Sequence, residues 1–169
     1  GMRWRDERLT KDLKPKDRVA VVMDLARPED AIDHGSIYDE DAGYLVGVFM
    51  AEGCSRGNEI RLSVHRFNDK AMLNRVKDYT TGRLYESFRE SSGGGNGMEV
   101  SINGPVVRGI IKKFVTGTTS HNKRLTAAAW AQPTAFLKGV LDGWLDGDAH
   151  NEPNSNRWRF NICQNTDLV

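Results

Sequence analysis

Alternating apolar and polar positions predict several short β-strands in this chain. Residues 58–67 place Ile60, Leu62 and Val64 on one face, and residues 98–102 repeat the alternation after a glycine-rich turn at 91–97. The other segments that favour strands are 18–23, 83–90 and 157–163. Each amphipathic strand is expected to bury one face against helices.

Helical spacing of apolar residues alternates with these strands along the chain. The predicted helices cover residues 43–52, 69–79, 105–117 and 134–147. The order helix, strand, helix, hairpin, helix then restarts with a helix and a strand, which indicates a repeat of roughly 95 residues and an α+β fold. We therefore divide the chain into a strand segment and linker (1–35), a first repeat (36–130) and the start of a second repeat (131–169).

Composition narrows the class of protein. The chain has 169 residues, of which 38% are hydrophobic and 28% charged, so a packed core is expected rather than disorder. No apolar run reaches the length of a membrane span, and the first residues do not resemble a signal peptide, which together predict an intracellular protein without membrane contact. Cys54 and Cys163 have no metal-type spacing and fit a reducing compartment.

The net charge of +1 argues at first against a partner as acidic as nucleic acid. The charge is unevenly distributed, however, because residues 53–135 contain 13 Lys and Arg against 6 Asp and Glu. This excess of +7 coincides with the predicted hairpin strands. A basic surface in the middle of the chain is therefore compatible with nucleic-acid binding, although uneven solvated surface explains the count equally well.

Two predicted helices carry stripes of small residues, each followed by an acid. Gly43, Gly47 and Ala51 are spaced by four and lead to Glu52, and the corresponding stripe leads to Asp148. The second stripe is Gly139, Gly143 and Gly147. Glycine costs about 1 kcal/mol relative to alanine inside a helix, so close helix packing is the expected compensation. If the stripes face each other, the two carboxylates converge and form a site for Mg²⁺ or Mn²⁺. If the stripes do not meet, Glu52 and Asp148 are two ordinary solvent-facing acids at helix ends.

The nonapeptides at 45–53 (LVGVFMAEG) and 141–149 (LDGWLDGDA) resemble the LAGLIDADG signature of homing endonucleases. The copies begin 96 residues apart, and the second ends in Ala149 where the family has glycine. The resemblance implies αββαββα halves joined by a two-helix seam, with a saddle-shaped antiparallel sheet over double-stranded DNA. It also implies a metal-dependent DNA endonuclease in which Glu52 and Asp148 hold the metal and Lys123 supports catalysis. A loop lysine without a role is the alternative for Lys123.

The resemblance assigns the polar strand faces to DNA. Arg61, Ser63 and His65 lie opposite the apolar residues of the first strand, and Arg157, Arg159 and Asn161 occupy the same places in the second repeat. Arginine and asparagine read base edges in the major groove, whereas Arg83, Arg89 and Lys112 are assigned to phosphates. Ordinary exposed strand residues remain an equally good interpretation of any single position.

The segment at residues 4–23 resembles the strand-turn region of an intein splicing domain. Because no nucleophile and histidine of the splicing type can be placed, we predict no splicing by this chain. The second repeat is predicted to be incomplete, so two chains are expected to be able to pair through the glycine-striped helices. The resemblance implies a site-specific, intein-associated homing endonuclease that cuts double-stranded DNA. The alternatives are an inactive nucleic-acid-binding or maturase-like module on the same fold and a domain whose striped helices only dimerise.

Overall fold

A computed structural model describes residues 38–119, 122–152 and 157–160. The predicted strand at 18–23, the intein-like segment, Asn161 and Cys163 lie outside these residues. The helices are α1 (Glu40–Glu52), α2 (Lys70–Lys77), α3 (Pro105–Phe114), α4 (Ala127–Trp130) and α5 (Thr134–Asp148), and a π-helical segment (Asp78–Arg83) continues α2. The strands are β1 (Gly53–Arg56), β2 (Glu59–His65), β3 (Ser87–Ser92), β4 (Gly97–Asn103), β5 (Val115–Thr116), β6 (Arg124–Leu125), β7 (Ala149–Glu152) and β8 (Arg157–Phe160).

A four-stranded antiparallel sheet, in the order β1-β2-β4-β3, forms one layer of the fold. Its register sets Ile60 opposite Ile102 and Leu62 opposite Val100, and all four side chains are buried. The predicted alternation of residues 58–67 is therefore confirmed. The sequence analysis missed β1, because four residues that begin with glycine and cysteine have no recognisable alternation.

Helix α1 is buried along almost its whole length, since residues 42–50 are all shielded from solvent. Its first turn is fixed by Asp39, whose Oδ1 accepts hydrogen bonds from the backbone N–H groups of Asp41 and Ala42, both at 3.1 Å. The helix thus begins at Glu40, three residues before the predicted start at residue 43. The capping hydrogen bonds from Asp39 therefore start the helix at residues 40–42, although these residues have no apolar periodicity.

The glycine stripes of α1 and α5 face each other within one chain. A β-carbon on Gly47 would lie 2.7 Å from Trp144 N, and one on Gly143 would lie 2.9 Å from Val48 N, with backbone carbonyl oxygens closer still. Glycine is therefore required here for main-chain contact between the helices. The expected pairing of two chains through these helices is corrected by this geometry, because each stripe is already covered by the other.

Helix α3 begins where a carboxylate from the segment before β3 reaches its N-terminus. Buried Glu86 accepts hydrogen bonds from Val106 N at 2.6 Å and Val107 N at 2.9 Å. A β-carbon on Gly104 would collide with this carboxylate, so glycine makes the approach possible. The helix ends at Phe114, three residues before the predicted end at Gly117, since Val115 is already extended and starts β5.

The core joins the inner face of the sheet to α1, α3 and α5. Its large members include Tyr44, Phe49, Phe114 and Phe136, and the rings of Phe114 and Phe136 lie 4.6 Å apart. Helices and an antiparallel sheet that share one core make an α+β fold, as predicted. In the part of the chain that the structure describes, no helix has the length and apolarity needed to cross a membrane.

Candidate cation site at the paired helix ends

The ends of α1 and α5 bring Glu52 and Asp148 together. A β-carbon on Gly147 would lie 3.4 Å from Glu52 Cγ, which shows how closely the two last turns approach. Burial raises the pKa of Glu52 to about 7, and the negative charges of Asp148 and then Asp69 contribute to the rise. The predicted convergence of the two seam acids is thus present in the fold, and it concentrates negative charge at the helix ends.

Lys123 is inside the protein beside these acids. Only 2% of its surface is exposed, and its Nζ donates hydrogen bonds to Phe49 O at 2.7 Å and Gly53 O at 2.8 Å. Burial lowers the pKa of Lys123 to about 8, and the charges of Asp148 and Glu52 oppose that shift. Lys123 is therefore a buried, hydrogen-bonded lysine and not an exposed loop residue. Lys123 caps the C-terminal carbonyls of α1, the end of the helix where a cation is favourable.

The loop that delivers Lys123 is held by its own hydrogen bonds. Asn122 Oδ1 accepts the backbone N–H groups of Thr118 and Thr119, both at 2.9 Å, and Lys123 N donates to Thr119 O at 3.0 Å. Gly117 adopts a positive φ of 77° at the start of the turn. The polar sequence of 117–125 predicts an exposed loop and gives no sign that one lysine in it is buried.

Trp144 contacts the site through Asp148. Its indole Nε1 donates a hydrogen bond of 2.8 Å to Asp148 Oδ2, one helical turn further along α5. The residue one turn before Glu52 in α1 is Val48, whose side chain has no donor to offer. The two carboxylates are therefore not equivalent, since one has an indole that orients it. Sequence reasoning missed this role, although the spacing of four residues between Trp144 and Asp148 was visible.

The donor set fits a hard divalent cation that retains water. Magnesium is typically bound by one or two carboxylates, with waters and phosphate oxygens completing six ligands. Glu52 and Asp148 supply two such carboxylates, and their mutual repulsion disappears when a cation lies between them. Within the described ranges, no cluster of three or more His, Cys, Asp or Glu side chains surrounds a common point. Glu52 and Asp148 are two described residues that could together hold a divalent cation.

The outward face of the sheet contains some of the residues assigned to DNA. Strand register places Arg61, Ser101 and Arg89 in one row across β2, β4 and β3, and Ser63 is exposed in the next row. Arg61 is held by two carboxylates, those of Glu59 and Glu99, each at 2.7 Å. Its guanidinium is thus committed to an internal network on this face, whereas Arg89 is exposed.

Two other residues assigned to DNA have different surroundings from those expected. His65 Nδ1 accepts the backbone N–H groups of Phe67 and Asn68 at 3.3 and 3.2 Å, so this ring builds the turn after β2. Arg83 lies in the π-helical segment rather than on a strand, and it pairs with Asp39 at 2.6 Å and Asp41 at 3.2 Å. Arg157 and Arg159 belong to β8, which pairs with β7.

No known protein family matches the chain. The chain is similar to the DNA-directed RNA polymerase subunit Rpo1C of Methanocaldococcus jannaschii, with 24% identity over 114 residues. The match covers 66% of this chain but only 13% of that protein, so the chain spans a small part of its relative. This finding contradicts the predicted site-specific, intein-associated homing endonuclease, because it points to a protein of another kind. That predicted function is corrected accordingly.

Proposed function

We propose that this domain binds nucleic acid through a divalent cation held between Glu52 and Asp148. The observation that carries the proposal is the crowding of these two carboxylates at the ends of α1 and α5, where the pKa of Glu52 is raised to about 7. A bound cation neutralises the pair and takes phosphate oxygens as further ligands. Mg²⁺ is the natural occupant, and Mn²⁺ suits the same oxygen donors.

The residues around the carboxylates support a site kept rigid for a ligand. Trp144 orients Asp148 by its indole N–H, and Lys123 fixes the last carbonyls of α1. The glycine contacts between the helices keep the two helix ends that carry the acids close together. These features agree with the resemblance to the LAGLIDADG fold, which we propose for the described part of the chain on the strength of the two glycine-striped helices.

Nucleic acid is favoured as the partner by two independent considerations. The similar protein is named as a DNA-directed RNA polymerase subunit, which associates the relative with nucleic acid. Residues 53–135 also carry an excess of +7, which attracts a polyanion. We propose double-stranded DNA as the main ligand, with Arg89 and Ser63 on the outward sheet face.

Calorimetric titration of MnCl₂ into the protein, with and without a mixed-sequence DNA duplex, tests the proposal. We expect one cation per chain, and Glu52→Gln or Asp148→Asn to weaken its binding at least tenfold. Glu90→Gln is the matched control, since Glu90 is an exposed acid paired with Lys77 at 3.1 Å. Equal Mn²⁺ affinity in all three variants would refute the cation site.

A further inference from the structure

A second surface with the chemistry of nucleic-acid recognition lies beside the turn that follows β2. An open groove of about 420 Å³ runs between the start of α2 and the β3–β4 hairpin. It is lined by Arg66, Phe67, Lys70, Asn74, Ser91 and Met98, among others. This volume falls in the range of pockets that accept small organic groups. None of these residues belongs to the cation site.

Phe67 is the unusual member of the groove. Its side chain is 66% exposed, although burial of an aromatic ring normally contributes strongly to folding. Among the described residues, its one aromatic neighbour is His65, whose ring lies tilted at 6.1 Å. Most of the phenylalanine side chain is thus accessible to a ligand.

The turn that presents Phe67 is firmly held. Phe67 N donates to His65 Nδ1 at 3.3 Å, and the next backbone N–H does so at 3.2 Å. Asp69 Oδ2 accepts from His65 N at 2.6 Å, and Arg66 N donates to Asn96 O at 2.9 Å. The backbone that presents the exposed ring is therefore held in place before a ligand arrives, which lowers the entropy lost on binding.

The charges around the ring select an anionic ligand. Arg66 and Lys70 line the groove, and neither forms an ion pair with another residue of the described ranges. The one acid in the lining, Glu90, is neutralised by Lys77 at 3.1 Å. Two cations beside an exposed aromatic ring match a nucleotide, whose phosphates and base have the complementary properties.

We propose that the groove binds an unpaired nucleotide, with its base stacked on Phe67 and its phosphates near Arg66 and Lys70. The turn lies close to the cation site, since the charge of Asp69 acts on the carboxyl of Glu52. A strand of nucleic acid leaving the cation site therefore meets the stacking ring within a short distance. This inference deepens the proposed function and rests on it for the identity of the ligand class.

Fluorescence anisotropy with a labelled oligothymidylate and with a mixed-sequence duplex tests the groove. Phe67→Leu keeps an apolar side chain and removes the stacking face, so we expect it to weaken oligothymidylate binding about tenfold. Phe67→Trp should retain the affinity of the native chain. Trp130→Leu removes another exposed aromatic, 58% accessible and distant in sequence, and should leave binding unchanged. Lys70→Gln should reduce the slope of log affinity against log salt concentration by about one.

The outcomes separate the two proposals. Measurements in EDTA report on the groove alone, whereas the Mn²⁺ titration reports on Glu52 and Asp148. Loss of Mn²⁺ binding in Glu52→Gln with unchanged oligothymidylate binding in Phe67→Leu would overturn the groove and keep the cation site. Poly-glutamate bound as tightly as oligothymidylate would also overturn it, because the groove would then recognise charge without a base. A tenfold loss in Phe67→Leu that Phe67→Trp restores would support it.

Discussion

The glycine contact between α1 and α5 makes a sharp prediction about stability. A β-carbon on Gly143 would lie 2.9 Å from Val48 N and 3.0 Å from Tyr44 C, and closer to the Tyr44 carbonyl oxygen. These obstacles are main-chain atoms, which cannot rotate aside as a side chain does. Gly143→Ala therefore forces the two helices apart and loosens the packing along their whole contact.

The size of the effect follows from two opposing contributions. Overpacking a well-filled interior costs about 1–3 kcal/mol, and a backbone obstacle favours the upper end of that range or beyond. Alanine recovers about 1 kcal/mol through its better helix propensity. We expect Gly143→Ala to lower the free energy of unfolding by about 2 kcal/mol. With a urea dependence of about 2 kcal/mol per molar, the midpoint falls by about 1 M.

Gly109 provides the matched control in a helix without such a contact. It lies in the interior of α3 and is exposed, and a β-carbon placed there would meet no atom outside its own helix within 4 Å. Gly109→Ala should raise the free energy of unfolding by about 0.5–1 kcal/mol through helix propensity alone. Urea denaturation followed by circular dichroism measures both variants. A Gly143→Ala protein as stable as the Gly109→Ala protein would refute the argument that the seam requires glycine.

Three further predictions concern the site and the capping of α3. In the folded chain the pKa of Glu52 is raised from 4.5 to about 7, so the folded state binds this proton more tightly than the unfolded state does. The free energy of unfolding therefore rises as the pH falls from about 7 to 4.5. After allowance for partial exposure we expect a rise of about 1–2 kcal/mol in urea titrations in EDTA, absent in Glu52→Gln. Trp144→Phe should weaken Mn²⁺ binding about tenfold in calorimetry while the fold stays intact, and unchanged affinity would contradict the orienting role. Glu86→Gln retains one acceptor oxygen for the two backbone N–H groups at the start of α3, so it should lower the free energy of unfolding by about 1–2 kcal/mol. The control Glu90→Gln should lower the free energy of unfolding by less than about 0.5 kcal/mol in the same urea assay.

The sequence predicted those parts of the fold in which one physical requirement dominates. Glycines spaced by four residues need a close neighbour, and α5 was placed within a residue of its observed bounds, Thr134–Asp148. Period-two alternation identified β2 and β4 because each buries a single face. In contrast, α1 begins at Glu40 because of a cap at Asp39, a local hydrogen bond that hydrophobic spacing does not reveal.

The sequence named the two acids from their spacing and Lys123 only through the family resemblance. Their convergence follows from facing stripes, but the burial of Lys123 depends on a loop whose polar sequence favours solvent. The pairing of Arg61 with Glu99 depends on the register of β2 against β4, which alternation within each strand leaves undetermined. Trp144 belongs to the helix that was predicted correctly, and only the direction of its side chain reveals the contact with Asp148. Long-range geometry, rather than residue type, was the missing information.

The main-chain contact between α1 and α5 also determines how the site responds to change elsewhere. Side-chain interfaces adjust when a neighbour is substituted, because rotamers shift and helices slide by small distances. At Gly47 and Gly143 two peptide backbones are the interface, so there is no rotamer to adjust. The spacing of the two carboxylates is therefore insensitive to substitutions in the sheet or in α3. The strands are free to acquire a different surface while the seam keeps the proposed cation site unchanged.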